Sequence, residues 1–238
     1  MNVSIRTLGA PALRYERKFV VPWSARHGIL AKLRLHPARF EEQYAPRFVN
    51  SLYFDTPSFR HYRESVDGVA RREKIRIRWY GDLCGHVDAP HAEAKAKDGN
   101  VGWKRTSQLP DFELKPGVTG EELDDWLGPP RSREVHAHGL GPVLMNRYRR
   151  GYWVSRDGRF RVTMDSNVAY HRISRMRNAF LRALDDPWSV VIELKYDVSD
   201  AADASDITRG LPFRLGRNSK YVIGVDRLYG HLGCVLAE

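Results

Sequence analysis

The sequence has little cysteine: Cys84 and Cys234 occur among 238 residues, and they form no Cys-x-x-Cys motif. No His pair at metal-ligand spacing lies near either one, so a zinc site is not expected, and nothing requires an oxidising compartment. The chain also lacks any run of about 18 apolar residues, so no membrane-spanning helix is predicted. Residues 1–17 contain no apolar segment typical of a secretory signal, and we therefore expect a cytoplasmic protein.

Acidic residues are outnumbered, with 29 Asp and Glu against 39 Lys and Arg, which gives a formal net charge of +10. This excess favours an anionic partner, such as nucleic acid, a membrane surface or a phosphorylated small molecule. Neither of the common glycine-rich phosphate loops is present, which argues against the nucleotide-binding folds that use them. Internal repeats and low-complexity tracts are also missing, so we treat residues 1–238 as a single domain.

Short segments with alternating apolar and polar residues dominate the chain and predict strands. Asp157-Gly158 predicts one hairpin, and Asp98-Gly99-Asn100 predicts another with a slightly longer loop. Because most strands follow one another in hairpins with helices inserted between them, we expect an α+β fold with an antiparallel sheet. The predicted strands are 15–21, 48–54, 73–80, 91–97, 103–109, 145–155, 159–165 and 190–197.

Helical patterns are fewer than strand patterns. Ser24 is a candidate N-cap for a helix over 25–35. Thr119 and Glu122 form a Thr-x-x-Glu capping box, which predicts a helix start. The predicted helices are 25–35, 58–66, 119–127, 202–210 and 220–229.

Charged side chains concentrate on one face of at least five predicted strands. In the strand at 73–80, Ile75 and Ile77 lie on one face and three cations lie on the other. A polar face in water would also give this alternation, but so many cations on one face repel one another and favour a polyanion. The charged residues on these faces are Glu16, Lys18, Lys74, Arg76, Arg78, Glu93, Lys95, Lys97, Arg159, Arg161, Asp165, Glu193, Lys195 and Asp197.

The chemistry of that face favours phosphate and a divalent cation. Arg binds phosphate oxygens in a bidentate manner, Lys supplies point charge, and interspersed carboxylates suit Mg²⁺ or Mn²⁺. If the sheet closes, the charged face lines a channel and the apolar face packs on helices outside. Trp79, Phe160 and Tyr196 fall on the apolar face, whereas a nucleic-acid groove would interleave aromatics with cations, so no nucleic-acid partner is expected.

Short motifs follow one another in order along nearly the whole chain. They are RYERK at 14–18, SLYFDT at 51–56, KIRIRWYG at 74–81, EAK at 93–95, KR at 104–105, YRR at 148–150, RVTMD at 161–165, ELK at 193–195 and SKY at 219–221. With these motifs the chain resembles the VTC domain, the polyphosphate polymerase domain of the triphosphate tunnel metalloenzyme (CYTH-like) superfamily. The resemblance implies an antiparallel β-barrel tunnel of about eight strands with helices packed outside.

The resemblance also implies an activity and a site. The activity is metal-dependent transfer of the terminal phosphoryl group of a nucleoside triphosphate such as ATP to a growing polyphosphate chain, with Mn²⁺ or Mg²⁺ as cofactor. Glu193 is the implied metal ligand, with Glu16 and Glu93 as helpers. Catalytic roles fall on Arg76, Arg78, Lys95, Arg161 and Lys220. Phosphate-binding roles fall on Lys18, Arg76, Arg78, Lys95, Lys104, Arg150, Arg161, Lys195, Ser219 and Lys220.

Two alternatives share the predicted channel: a triphosphatase acting on inorganic triphosphate or nucleotides, and a polyphosphate-binding module without turnover. Hydrolytic relatives carry Glu-x-Glu-x-Lys on the first strand, and here Arg14 replaces the first Glu before Glu16 and Lys18. Strand alternation alone does not choose between Arg149 and Arg150 for the channel, although Tyr-x-Arg matches the family at Arg150. Ser219 has two interpretations, as an N-cap and as a phosphate ligand.

Overall fold

A computed structural model describes residues 14–98, 101–127, 139–209, 215–216 and 218–230. β-strands are the commonest regular element among these residues, as the alternating sequence pattern predicts. The strands are β1 (Arg14–Pro22), β2 (Glu41–Asp55), β3 (Arg72–Tyr80), β4 (Gly85–Val87), β5 (His91–Asp98), β6 (Val101–Gln108), β7 (Phe112–Leu114), β8 (Gly141–Val154), β9 (Arg161–Arg172), β10 (Leu184–Asp186) and β11 (Ser189–Asp197).

The helices occur where the sequence predicts them. They are α1 (Arg26–Leu35), α2 (Arg60–Val66), α3 (Gly120–Asp125), α4 (Ala204–Arg209) and α5 (Lys220–Tyr229). Thr119 and Glu122 form the predicted capping box at α3, and the Ser219 hydroxyl caps α5. The Ser24 prediction is wrong, because Ser24 lies in a 3₁₀ turn and Ala25 occupies the N-cap of α1 without a side-chain cap.

The eight predicted strands all occur, and two of them are much longer than predicted. β2 begins at Glu41, and β9 continues to Arg172 through an irregular position near Asn167, whose φ is positive. The short strands β4, β7 and β10 have no clear alternating pattern, and the sequence analysis missed them. The Asp157-Gly158 hairpin is confirmed, whereas Gly99 and Asn100 of the second predicted turn lie outside the described residues.

Nine strands form one antiparallel sheet in the order β1-β11-β9-β8-β2-β3-β5-β6, with β10 added beside β9; β4 and β7 pair separately. The predicted closed barrel is not found, because no ladder joins β1 to β6 in the described part of the chain. Residues 215–216 occupy the outer edge of β1 instead: Phe19 pairs with Leu215, and the Gly216 N–H donates to the Lys18 carbonyl. The sheet is nevertheless strongly curled, since Lys95 Nζ on β5 lies 3.5 Å from Glu16 Oε2 on β1.

The outer face of the sheet carries two apolar cores. One lies under α1 and α4, and the other lies under β4, β7 and α3. These helices pack outside, as predicted, because the odd-numbered apolar residues of β1 and the even-numbered ones of β11 and β9 all point to that side. The main side chains of the first core are Phe19, Val21, Ile29, Leu33, Val162, Ile192 and Leu194.

Helix α5 departs from this plan, because it packs against the inner, charged face. Tyr221 and Val225 of α5 join a third core with residues of β2, β8 and β9. The helix is fixed by buried hydrogen bonds: the Tyr221 hydroxyl donates to Asp55, which also accepts the backbone N–H groups of His61 and Tyr62. The expectation that all helices pack outside is therefore wrong for α5, whose first turn is held within the concave side of the sheet.

The part of the chain that the structure describes contains no candidate membrane-spanning helix.

Substitutions at two glycines compare a tightly packed position in α5 with an open position in α1. A Cβ at Gly224 would lie 2.7 Å from Leu144 Cδ2 and 2.7 Å from Tyr170 Cδ1, whereas a Cβ at Gly28 in α1 would meet nothing within 4 Å. We expect Gly224→Ala to lower the free energy of unfolding by about 1–3 kcal/mol through overpacking. Gly28→Ala should raise it by about 0.5–1 kcal/mol through helix propensity. Equilibrium denaturant unfolding measures the free energy of unfolding of both variants. Equal changes in the two variants would contradict the close packing of α5 at Gly224.

Candidate functional site

A cavity of about 340 Å³ lies on the inner face, between the two ends of the curled sheet and the first turn of α5. Seven strands and α5 contribute side chains to it. The lining is dominated by Lys and Arg, with three carboxylates and three tyrosines. The lining residues are Glu16, Lys18, Tyr53, Arg72, Glu73, Lys74, Arg76, Arg78, Lys95, Lys104, Tyr148, Arg150, Glu193, Lys195, Asn218, Ser219, Lys220 and Tyr221.

Glu93 organises the cations of β3 and β6. Its Oε2 accepts from Arg76 Nε at 2.7 Å, and its Oε1 accepts from Lys104 Nζ at 2.6 Å. Arg78 Nη1 lies 3.7 Å from the same carboxylate. Burial alone would raise the pKa of Glu93, but Arg76, Arg78 and Lys104 outweigh burial and hold this pKa well below its ordinary value. Glu93 is therefore an ionised residue that orients guanidinium and ammonium groups.

A second group of charges joins β1 to β11. Lys18 Nζ lies 3.2 Å from Glu193 Oε1, and Lys195 Nζ lies 3.2 Å from Glu193 Oε2. Glu16 contacts the same two ammonium groups at 3.8 and 3.7 Å. Burial opposes ionisation of Glu193, yet Lys18 and Lys195 lead the surrounding cations in lowering the pKa of its carboxyl far below the ordinary value. The carboxylates of Glu16 on β1 and Glu193 on β11 thus share the same two ammonium groups.

Asp165 on β9 anchors the third group. Arg150 donates to its two oxygens at 2.5 and 2.6 Å, and Lys220 at the start of α5 donates to it as well. The Asp165 side chain is completely buried, and despite that burial Arg150 and Lys220 lower its pKa. This arrangement settles the choice between the two arginines, because Arg150 is buried on the inner face while Arg149 is exposed on the other face.

Tyrosine hydroxyls extend the positive network. Arg76 Nη1 donates to Tyr53 Oη at 3.0 Å, and Arg78 Nη2 donates to Tyr148 Oη at 3.2 Å. Burial would raise the pKa of Tyr53, but Arg76 and Arg78 overcome burial and lower it to about 8. The lowered pKa of Tyr53 indicates that the surrounding cations make the cavity strongly positive.

The structure brings most of the predicted site residues together. All predicted phosphate-binding residues except Arg161 line the cavity. Arg161 starts β9 with an exposed side chain and pairs across the sheet with Lys195 and Val154, so its role stays a prediction. The sequence analysis did not assign Tyr53, Lys74, Tyr148 or Tyr221 to the site. Lys74 shares the alternation of Arg76 and Arg78, which is the signal that could have identified it.

The predicted metal ligands are only partly grouped. Glu16 and Glu193 line the cavity, but Glu93 does not, because Arg76 and Lys104 cover it. Among the described residues, Glu16, Glu93 and Glu193 are not brought within 4.8 Å of one another as a set of three. A site that uses Glu93 as well as Glu193 would also have to displace three cations from Glu93. Glu16 and Glu193 are therefore the better-placed pair.

Comparison with known proteins gives a family match and related folds. A family model described as the VTC domain matches residues 13–229. No curated protein sequence matches significantly. Among solved structures, a candidate adenylate cyclase from Bacillus halodurans aligns with a TM-score of 0.54 and 11% identity, covering 92% of this chain and 98% of its own.

Two further solved structures are similar. The PH1819 protein from Pyrococcus horikoshii aligns with a TM-score of 0.52 and 14% identity, covering 90% of this chain and 99% of its own. A candidate adenylate cyclase from Vibrio parahaemolyticus aligns with a TM-score of 0.50 and 12% identity, also covering 90% of this chain and 99% of its own. At these identities the likeness concerns the fold.

Removing the Glu93 charge tests the ion-pair network. Because its pKa is lowered in the folded state, ionised Glu93 stabilises the fold above its ordinary pKa of about 4.3, and this stability is lost as pH falls below that value. We expect Glu93→Gln to lower the free energy of unfolding by about 3 kcal/mol or more near neutral pH, where three cations are left unpaired. The deficit should shrink as pH falls towards about 2.

Denaturant unfolding at several pH values measures this difference. The exposed Glu42 on β2 provides the control, since Glu42→Gln should change little at any pH. A deficit for Glu93→Gln that does not depend on pH would mean that lost packing, not lost charge, causes it.

Proposed function

Because the chain belongs to the VTC domain family, we propose that it is a metal-dependent polyphosphate polymerase. It transfers the terminal phosphoryl group of a nucleoside triphosphate, with ATP as the expected donor, to the end of a polyphosphate chain. The observation that carries this proposal is the cavity itself, where ten Lys and Arg side chains converge on one inner face. Such a surface suits a ligand with closely spaced phosphate groups.

The buried carboxylates that pair with the cations around the cavity support transfer to phosphate over hydrolysis. Glu93, Asp165 and Glu193 all have pKa values below the ordinary range, so they are weak bases for activating water. A phosphate acceptor is already ionised and needs no such base. Phosphoryl transfer depends mainly on positioning and on neutralising charge at the moving group, and the cavity provides cations for both tasks.

Individual residues then take distinct roles. Arg76 and Arg78, two residues apart on β3, hold adjacent phosphates, and Glu93 fixes the orientation of Arg76. Lys220 and Arg150 stabilise charge on the transferred group while Asp165 holds them in place. Lys104 and Lys95 extend the binding surface towards the mouth of the cavity, and Ser219 contributes a hydroxyl at the start of α5.

Glu16 and Glu193 fit a divalent cation. Carboxylate oxygens are the ligands that Mg²⁺ and Mn²⁺ prefer, and these two carboxylates already share the ammonium groups of Lys18 and Lys195. When bound there with substrate, Mg²⁺ or Mn²⁺ would neutralise charge on the phosphate oxygens. Lys18 and Lys195 line the cavity beside these carboxylates and would contact phosphate there.

The curled sheet also supports a tunnel for a linear substrate. The ion pair of Lys95 with Glu16 bridges β5 and β1 across the gap between the two ends of the sheet. This contact brings side chains of the two ends together where backbone pairing leaves the sheet open. We therefore place the phosphate chain along the inner face, with β3 on one side and β1 and β11 on the other.

The proposal is tested by incubating the purified protein with ATP and Mn²⁺ or Mg²⁺ and measuring polyphosphate on gels and free phosphate in parallel. We expect a ladder of polyphosphate whose rate of formation falls about 100-fold or more in Arg76→Ala, because a donor to the transferring phosphates is lost. Lys115→Gln, an exposed lysine outside the cavity, is the matched control and should be unaffected. Free phosphate without a ladder would assign a triphosphatase, and tight polyphosphate binding without either product would assign a binding module.

The metal role has its own test. We expect Glu193→Gln to need about 10-fold more Mn²⁺ for half-maximal activity, since one carboxylate ligand is lost. Titration of activity with Mn²⁺ measures this, with Glu42→Gln as the control for loss of a surface charge. An unchanged metal requirement would remove Glu193 from the metal site.

A further inference from the structure

Ion pairing divides the cations of the cavity into two classes. Eight of them contact a carboxylate, and two, Arg72 and Lys74, form no ion pair with any carboxylate in the part of the chain that the structure describes. Arg72 donates to the Val69 carbonyl near the mouth of the cavity. The eight paired cations are Lys18, Arg76, Arg78, Lys95, Lys104, Arg150, Lys195 and Lys220.

Lys74 has a neutral partner that leaves donors available. Its Nζ donates to Ser219 Oγ at 3.1 Å, and Ser219 Oγ also lies 3.5 Å from the Val222 N–H at the start of α5. A serine hydroxyl has two lone pairs and one proton, so when both lone pairs accept, the proton is left to donate. Lys74 likewise keeps two of its three N–H groups. Together these groups offer donors to an anion in the cavity.

The surroundings of Lys74 make an anion favourable. Burial lowers the pKa of its ammonium group to about 8; Tyr53 opposes this effect, and Lys18, Lys95 and Arg72 add to it. Within the described ranges no carboxylate pairs with Lys74, in contrast to most cations of the cavity. No carboxylate contact offsets the charge of Lys74, so an incoming group gains more here the higher its negative charge.

We propose that Lys74 and the Ser219 hydroxyl form a binding position for a terminal phosphate group of a linear phosphate chain. A terminal phosphate carries about 1.5 to 2 negative charges near neutral pH, whereas an internal one carries a single charge. The Lys74 position, which lacks a carboxylate partner, thus selects chain ends. This inference rests on the proposed function only in taking phosphate chains as the ligands.

Two inorganic ligands separate chain ends from internal phosphates. Tripolyphosphate is linear and has two terminal groups, whereas trimetaphosphate is a ring of three phosphates with none. Isothermal titration calorimetry with each ligand, in a chelator so that no divalent cation contributes, compares the unaltered protein with Lys74→Gln. We expect Lys74→Gln to weaken tripolyphosphate binding about 10-fold or more and to change trimetaphosphate binding less than about 3-fold. Lys115→Gln should change neither.

Folding is checked by thermal unfolding of the same samples. Lys74→Gln removes one of several repelling cations, so its Tm should be equal to or higher than that of the unaltered protein. Equal weakening of both ligands, or no weakening of either, would overturn the assignment of Lys74 to chain ends. Failure of the unaltered protein to bind either ligand would count against the proposed function as well, so the two failures are distinguishable.

Discussion

Repulsion between like charges is the constraint on which this structure depends. Ten cations face one cavity, and without compensation they would drive the strands that carry them apart. Buried carboxylates from different strands supply the compensation. Glu93 joins β3 to β6, Glu193 joins β11 to β1, and Asp165 joins β9 to β8 and to α5. These ion pairs link segments that are distant in the chain, so the charge network and the curl of the sheet stabilise one another.

The compensation is incomplete in a way that bears on binding. The carboxylates mostly lie behind or between the cations, so donor groups still face the cavity. The carboxylates already fix the orientation of these donors. A polyanion that enters therefore replaces their contacts with water without large side-chain movements. Such preorganisation is the usual source of electrostatic stabilisation in phosphoryl transfer. Lys74, which pairs with no carboxylate of the described chain, donates instead to the neutral Ser219 hydroxyl and keeps donors for an anion.

Much of this architecture could be predicted from the sequence. Alternation in a strand determines which side chains share a face, so the grouping of Lys74, Arg76 and Arg78 on one face of β3 follows from local pattern alone. The capping box at Thr119 and the cap at Ser219 are equally local and were predicted for the same reason. These features depend on residues close in sequence, where backbone geometry by itself fixes the direction of a side chain.

Other features were decided only by tertiary structure. Which carboxylate pairs with which cation depends on the order of strands in the sheet, and this order placed Glu93 against Arg76 and Lys104. The choice of Arg150 over Arg149 followed from which face of β8 turns towards the cavity. Residues 215–216 occupy the edge of β1 at which a closed barrel would pair. The placement of α5 on the inner face depends on its packing against β8 and β9. Contacts between distant segments set all these outcomes, because the energy of a buried group depends on neighbours that the local sequence does not specify.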